Sequence, residues 1–120
     1  MATSSSDIAF TGTVKAIQAR KGSRGSYEGS EWHTVITPDL AQFLAAQRSV
    51  FLASVNAEGQ PYIQHRGGPP GFLKVLDERT IAFADYRGNR QYITQGNLEE
   101  NPKAHLFIID YLHKRRVKIW

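Results

Sequence analysis

The chain has 120 residues, enough for one domain with a single modest core. Its 41% hydrophobic and 22% charged residues are typical of a globular protein and exclude an intrinsically disordered one. The absence of cysteine excludes disulfides, thiolate metal sites and a cysteine nucleophile, while 15 Lys and Arg against 11 Asp and Glu favour an anionic ligand without requiring nucleic acid.

The sequence shows no targeting or membrane-spanning signal. Residues 1–7 lack a basic region followed by an apolar core, and no apolar run approaches the length that spans a bilayer. We therefore expect a cytoplasmic protein with no membrane partner.

Residues 1–36 are predicted to form an N-terminal extension. A short helix is expected over Thr11–Arg20, followed by a flexible segment rich in Gly and Ser over residues 21–30. We expect this extension to pack across the domain or a partner subunit.

The main domain is expected over residues 37–120, and it opens with a helix. Thr37 is placed to cap free backbone N–H groups, and Pro38 suits the first helical position. Leu40, Phe43 and Leu44 fall on one face at helical spacing, so they are predicted core residues.

Short β-rich runs, mostly joined as hairpins, dominate the rest of the chain. The loop at Gly59 predicts the first hairpin, and the glycines and prolines of residues 66–71 are expected to interrupt regular strand pairing. The predicted strands are Ser49–Val55, Pro61–His65, Phe72–Leu76, Thr80–Ala84, Ala104–Tyr111 and one beginning at Val117. Such a meander closes most easily as a small barrel. Because the last strand stops unfinished, we expect a fragment or a barrel completed by something outside this sequence.

A candidate anion site lies in residues 85–102. This stretch leaves an apolar strand, turns at Gly88 and Asn89, and enters a short helix. Free backbone N–H groups at a helix start are suited to holding a phosphate. Residues 97–102 are interpreted as a helix end without a ligand role.

A second group of polar residues follows the predicted hairpin. Arg66 is suited to bidentate contact with phosphate, and Lys74 can add a point charge from the next strand. The amides of Gln64 and Gln91 could hydrogen-bond a heterocycle, so the set could enclose a phosphorylated ring compound. The candidate binding residues are Gln64, His65, Arg66, Gly67, Gly68, Lys74, Asn89, Arg90 and Gln91. Each also has an ordinary interpretation as a surface loop or strand position.

No catalytic constellation is recognisable in the sequence. It contains no Ser-centred elbow, no usefully spaced carboxylate pair and no His cluster, so no catalytic residue and no metal site is predicted. A reaction would therefore depend on a cofactor.

Over residues 37–120, the sequence resembles the FMN-binding split-barrel family related to pyridoxamine 5'-phosphate oxidase. The resemblance lies in the order of a capped helix, the hairpin over residues 50–65, the segments Arg66–Gly68 and Gly88–Gln91, and the run Glu99–Pro102 before a strand. It implies a mainly β fold, a six-stranded antiparallel split β-barrel with Greek-key character and short flanking helices. It also implies a homodimer with FMN at the interface.

In that family the flavin phosphate is held by an Arg and a Lys from neighbouring strands, which match Arg66 and Lys74, and by a polar and basic pair that matches Asn89 and Arg90. The insertion of residues 67–71 departs from the pattern and leaves part of the role of Lys74 to the backbone of Gly68. The oxidase's C-terminal substrate-phosphate motif has no counterpart, so vitamin B6 oxidation is not implied.

Three functional hypotheses remain. The first is an FMN-dependent oxidoreductase acting on a small molecule, and the second is a non-catalytic binder or sensor of flavin, deazaflavin or haem. The third is a basic β-barrel that binds nucleic acid through residues 114–118. Because aromatic residues are not interleaved with those cations, we predict no nucleic-acid partner.

Overall fold

The computed structural model describes residues 4–85 and 88–120. Tyr86 and Arg87, which belong to the predicted anion-binding stretch, lie outside the described residues. The chain divides into two compact units, residues 1–37 and 38–120.

The N-terminal unit contains short helices. A 3₁₀ helix, Ser5–Ile8, precedes α1 (Gly12–Lys21) and α2 (Arg24–Tyr27). Thr11 caps α1, as its hydroxyl accepts a hydrogen bond from the backbone N–H of Val14 at 3.2 Å. The predicted first helix is confirmed, whereas the segment expected to be flexible contains α2.

The second unit begins with α3 (Pro38–Ala45). Phe43 and Leu44 are buried, and Leu40 packs against the same cluster, which confirms the predicted apolar stripe. The core cluster consists of Phe43, Leu44, Val50, Leu73 and Ile108.

Within the described residues, six antiparallel strands form two sheets. They are β1 (Ser49–Val55), β2 (Pro61–Gly67), β3 (Lys74–Asp77), β4 (Thr80–Ala82), β5 (His105–Asp110) and β6 (Arg115–Ile119), with α4 (Ile93–Glu100) between β4 and β5. The larger sheet has the order β2-β1-β5-β6, and β3 pairs with β4. The predicted class, mainly β with minor α, is confirmed. Among the described residues the sheets do not join into one closed barrel.

β2 continues further than the sequence predicted. Arg66 pairs with Val50 and Gly67 with Ser49, so the expected interruption begins only after Gly67. The physical reason is that the first proline is at position 69, and glycine retains the backbone groups that a ladder needs. β6 likewise begins two residues before the predicted Val117.

The larger sheet has two chemically different faces. On β1, Val50, Leu52 and Ser54 are buried, and this inner face continues on β2 through their partners Arg66 and Gln64. The opposite surface, called here the outer face, carries Phe51, Ile63 and His65 on β1 and β2, with His105 and Phe107 on β5. Arg66 and Gln64 are therefore directed toward the core side of an edge strand.

Candidate functional site

A cavity of about 210 Å³ lies along β2, the edge strand of the larger sheet. Its lining comes from β2, from the end of the segment after β4 and from the start of α4. The lining residues are Tyr62, Gln64, His65, Arg66, Gly67, Phe72, Ala84, Asp85, Gly88, Asn89, Arg90, Gln91, Tyr92, Ile93, Thr94 and Gln95. Two chain segments, residues 62–67 on one side and residues 84–85 and 88–95 on the other, thus meet at one polar pocket.

Arg66 is the central charged group of this cavity. Its side chain is only 17% exposed, and its Nη1 donates to Oδ1 of Asp85 at 2.5 Å. Its Nη2 donates to Oε1 of Gln64 at 3.0 Å. Its Nε is buried and has no hydrogen-bond partner among the described residues. A buried donor without a partner is costly, and it marks a position where an anionic acceptor would be stabilised.

Gln64 is fixed from two sides through its carbonyl oxygen. Thr94, a buried residue of α4, donates its hydroxyl to Gln64 Oε1 at 2.7 Å, and Arg66 donates to the same atom. The oxygen is therefore engaged, which presents the amide N–H₂ of Gln64 as the group able to donate to a ligand.

α4 is anchored to the sheet by a second buried hydrogen bond. Asn97 Nδ2 donates to Ser54 Oγ at 3.1 Å, and both residues are buried. Thr94 and Asn97 lie three residues apart and so share one face of the helix. This face fixes the start of α4 relative to β1 and β2, and with it the wall of the cavity.

The loop before α4 has an uncommon backbone conformation. Gly88, Arg90 and Tyr92 have positive φ values of 53°, 60° and 56°. Asn89 stabilises the turn, since its Oδ1 accepts a hydrogen bond from the backbone N–H of Gln91 at 3.1 Å. Arg90 and Tyr92 are the two non-glycine residues of this loop in the left-handed region, and each destabilises the fold by about 1–3 kcal/mol. Strained residues of this kind cluster at functional sites.

The start of α4 also opens on the cavity. Its first residues, Ile93 and Thr94, line the pocket, and the N-terminal flanking residue Tyr92 makes no side-chain capping hydrogen bond. Among the described residues, the N-cap side chain thus leaves the first-turn N–H groups uncapped, and free N–H groups at a helix start are suited to holding an anion.

Seven of the nine predicted binding residues line this cavity. They are Gln64, His65, Arg66, Gly67, Asn89, Arg90 and Gln91. His65 approaches it from the outer face, where its Nε2 lies 3.1 Å from Ser49 Oγ. The structure thus brings together the two groups that the sequence analysis had placed on separate segments.

Gly68 and Lys74 do not line the cavity. A Cβ at Gly68 would lie 2.8 Å from the Phe72 side chain, so this glycine permits close packing. Lys74 instead lines a second cavity of about 470 Å³, which shares Gly67, Phe72 and Ala84 with the first. The expected pairing of Arg66 with Lys74 around one phosphate is therefore not seen in this arrangement.

Two residues of the site received no role from the sequence. Asp85 follows the β4 segment and would be interpreted as an ordinary turn residue, yet it is the ion-pair partner of Arg66. Thr94 could have been found from its spacing with Asn97, because two polar residues on one helix face beside a sheet are candidates for buried hydrogen bonds.

Metal and membrane features are not found in the described part of the chain. No cluster of three or more His, Cys, Asp or Glu there could hold a metal ion. None of the described helices has the length and apolar character needed to cross a membrane.

An antiparallel six-stranded fold in two sheets, with a polar pocket at a sheet edge, is typical of a mainly β protein of the split-barrel type. Residues 36–120 match the family model described as pyridoxamine 5'-phosphate oxidase, and the chain belongs to this family. No curated protein sequence matches the chain.

A solved structure of a tagged HupZ variant from Group A Streptococcus is similar in fold. The two share 24% sequence identity with a TM-score of 0.52, over 69% of this chain and 64% of that one. The chain therefore spans just under two thirds of that protein. At this level of identity the likeness shows the fold alone.

Proposed function

We propose that this protein binds FMN in the cavity along β2 and acts as an oxidoreductase of the pyridoxamine 5'-phosphate oxidase-like class on a small molecule. Membership of the family supports a flavin. The observation that carries the proposal is the state of Arg66, whose Nη1 already holds a carboxylate and whose buried Nε has no partner among the described residues.

The residues of the cavity fit a flavin phosphate. Asp85 shows that an anionic oxygen reaches Arg66, and its own side chain is 70% exposed, so it can leave that position for solvent. Arg90 and the first-turn N–H groups of α4 line the same pocket. A phosphate at this point would meet a guanidinium and the positive end of a helix.

The other end of the cavity suits a flat polar ring. The hydrogen bonds to Gln64 Oε1 leave the amide N–H₂ of Gln64 able to donate to a ring. β2 is also an edge strand, and its unpaired backbone groups can hydrogen-bond the edge of a ring. Tyr62 and Phe72 supply apolar lining. FMN bound here would supply hydride acceptance at its N5 atom, and the chain's own residues would orient it and exclude water.

His65, a residue of the outer face, contributes to the wall of the cavity. We therefore include a homodimer in the proposal, with a second copy covering the outer face and completing the pocket. The exposed apolar side chain of Ile63, which is 62% exposed on the same face, supports this arrangement.

The proposal is tested by titrating the purified chain with FMN, following flavin absorbance and fluorescence. Arg66→Gln should weaken binding by about 10- to 150-fold, the loss expected for a charge-assisted hydrogen bond of about 1.5–3 kcal/mol. Lys103→Gln, which removes an exposed cation that does not line the cavity, is the control and should retain the affinity of the unaltered protein. A chain that takes up no FMN, or an Arg66→Gln variant that binds as well as the control, would contradict the proposal.

Turnover separates the oxidoreductase from the non-catalytic binder. Incubation of the FMN-loaded protein with NAD(P)H and an electron acceptor should bleach and restore the flavin absorbance if the protein is an oxidoreductase. Tight binding without reduction would assign it instead to the storage or sensing alternative.

A further inference from the structure

The turn between β5 and β6 carries the two most exposed large apolar side chains among the described residues. Tyr111 is 78% exposed and Leu112 is 83% exposed. Turn positions normally favour Gly, Pro, Asn, Asp and Ser, so an adjacent Tyr and Leu at a hairpin end is unexpected on folding grounds. We call residues 111–114 the β5–β6 tip.

The tip has a defined shape. Asp110 accepts a hydrogen bond from the backbone N–H of His113 at 3.0 Å, and its Oδ2 lies 2.8 Å from His113 Nδ1. These two hydrogen bonds hold the pKa of the Asp110 carboxyl below its usual range. Lys114 closes the turn with a φ of 54°. The acidic side chain of Asp110, next to the tip in sequence, is thus engaged within the turn itself.

Cations flank the apolar tip. Lys114 ends it, and Arg116 and Lys118 follow on one face of β6, at alternate positions opposite Ile109 and Phe107. All three are exposed. The guanidinium of the intervening Arg115 lies 5.3 Å from the centre of the Phe43 ring, so it packs toward the core. Exposed cations on an edge strand also discourage strand pairing, but that role does not account for Tyr111 and Leu112.

We propose that the β5–β6 tip docks on the surface of an anionic phospholipid bilayer. Tyr111 and Leu112 enter the headgroup region, while Lys114 and Arg116 lie against lipid phosphates. An apolar end beside basic residues matches the two layers of such a surface, since anionic lipids attract Lys and Arg and the layer beneath accepts apolar side chains. This contact is peripheral, so it requires no membrane-spanning segment.

Two other partners fit the tip less well. Nucleic acid would use the cations and could stack a base on Tyr111, but it offers no partner for the aliphatic Leu112, the most exposed side chain of the tip. A second copy seated on the tip would need acidic groups to meet Lys114, and Asp110, the acidic residue next to the tip, is engaged within the turn. An anionic bilayer uses the apolar and the basic residues together.

The full chain is tested by co-sedimentation with vesicles of phosphatidylcholine alone and of phosphatidylcholine with phosphatidylserine. We expect binding to the anionic vesicles that weakens as salt rises from about 0.05 to about 0.5 M. The double variant Tyr111→Ser, Leu112→Ser should lower the partition coefficient by about tenfold or more. Lys114→Gln with Arg116→Gln should abolish the preference for the anionic vesicles.

Matched controls keep the test specific. Leu76→Ser removes another exposed leucine, 65% exposed on β3, and Lys103→Gln removes a cation away from the tip; both should bind anionic vesicles as the unaltered chain does. Far-ultraviolet circular dichroism of every variant checks that the fold persists. Leu112→Trp adds a direct readout, because quenching of its fluorescence by brominated phospholipid reports insertion.

Several results would overturn the proposal. These are equal binding to both vesicle types, no vesicle binding at all, and tip variants that bind like the controls. Salt-dependent binding to oligonucleotides without vesicle binding would identify the β5–β6 tip as a nucleic-acid-binding surface instead. A loss of self-association in the Tyr111→Ser, Leu112→Ser variant, again without vesicle binding, would assign it to contact between copies.

Discussion

Asp85 forms an ion pair with the guanidinium of Arg66, the group that the proposed flavin phosphate would bind. Its carboxylate would therefore compete with the phosphate for Arg66. Its carboxylate lies 2.5 Å from Arg66 Nη1. Asp85→Asn removes the negative charge and leaves a side chain of nearly the same size. We expect this variant to bind FMN up to about fivefold more tightly, because phosphate no longer displaces an ion pair worth up to about 1 kcal/mol at an exposed carboxylate. Isothermal titration calorimetry measures the change.

Riboflavin, which lacks the phosphate, is the control ligand for this variant. Its affinity should be the same with Asp85 and with Asn at this position. If Asp85→Asn weakens FMN, the carboxylate orients Arg66 for the ligand rather than competing with it, and the assignment of Nη1 to phosphate is wrong.

His105 makes stability depend on pH. Its ring lies 4.2 Å from that of Trp120, and its Nδ1 is buried without a partner among the described residues. Burial, and secondly the charge of Lys118, lower the pKa of His105 below its usual value of 6.5. Between the lowered pKa and about 6.5, the unfolded state binds more protons than the folded state, so the free energy of unfolding falls as pH falls through this window.

His105→Phe keeps an aromatic ring on the outer face and removes the titrating group. We expect urea unfolding midpoints of this variant to change less between about pH 7 and about pH 5 than those of the unaltered chain. Carboxylates contribute the same background to both proteins. Parallel midpoint curves for the two would show that His105 does not carry this pH dependence.

At the scale of elements, α4 is fixed to the sheet by buried polar pairs rather than by an apolar stripe. Asn97→Ala leaves the buried hydroxyl of Ser54 without its donor, and we expect a loss of about 1–3 kcal/mol in the free energy of unfolding. Ser54→Ala likewise leaves the buried amide of Asn97 without its acceptor. Because the two groups share one hydrogen bond, the double variant should lose less than the sum of the single losses.

Chemical denaturation of the four proteins of this cycle gives the coupling directly. Val75→Ala, on β3, which does not contact α4 among the described residues, supplies a reference variant whose effect should add to that of Asn97→Ala. Strict additivity between Asn97→Ala and Ser54→Ala would instead show that the hydrogen bond does not anchor α4.

Most elements could be predicted from the sequence, because local patterns determine them. The apolar run and the loop at Gly59 define β1 and the first hairpin, and Pro38 marks the start of α3. Strand ends were predicted less well. Whether Arg66 and Gly67 extend β2 depends on their pairing with β1, a non-local contact that no local pattern records.

At the scale of the whole molecule, the same limit applies to the site. Arg66 and Arg90 could be proposed separately from their local contexts, but only the packing of α4 on β1 and β2 brings them to one cavity. Lys74 lines a neighbouring cavity instead, although it follows the hairpin that carries Arg66. The choice of Asp85 as the partner of Arg66 is a tertiary effect that residue type and spacing do not determine.

The proposed dimer links the outer face to the cavity, and Ile63 tests that link. Its side chain is 62% exposed on β2, next to His65 along that face. Ile63→Glu places a charge where the second copy would lie, and a buried charge without a partner is strongly unfavourable. Since the position is exposed in the single chain, the fold should persist while the dimer dissociates.

Light scattering coupled to size-exclusion chromatography should therefore show a dimer for the unaltered chain and a monomer for Ile63→Glu. The FMN affinity of the variant should fall as well, because the second copy would close the side of the pocket at which His65 lies. Leu76→Glu, at a similarly exposed leucine on β3, should remain dimeric. A monomeric unaltered chain with full FMN affinity would mean that one copy suffices to bind FMN. The outer face would then be covered by something other than a second copy of the chain.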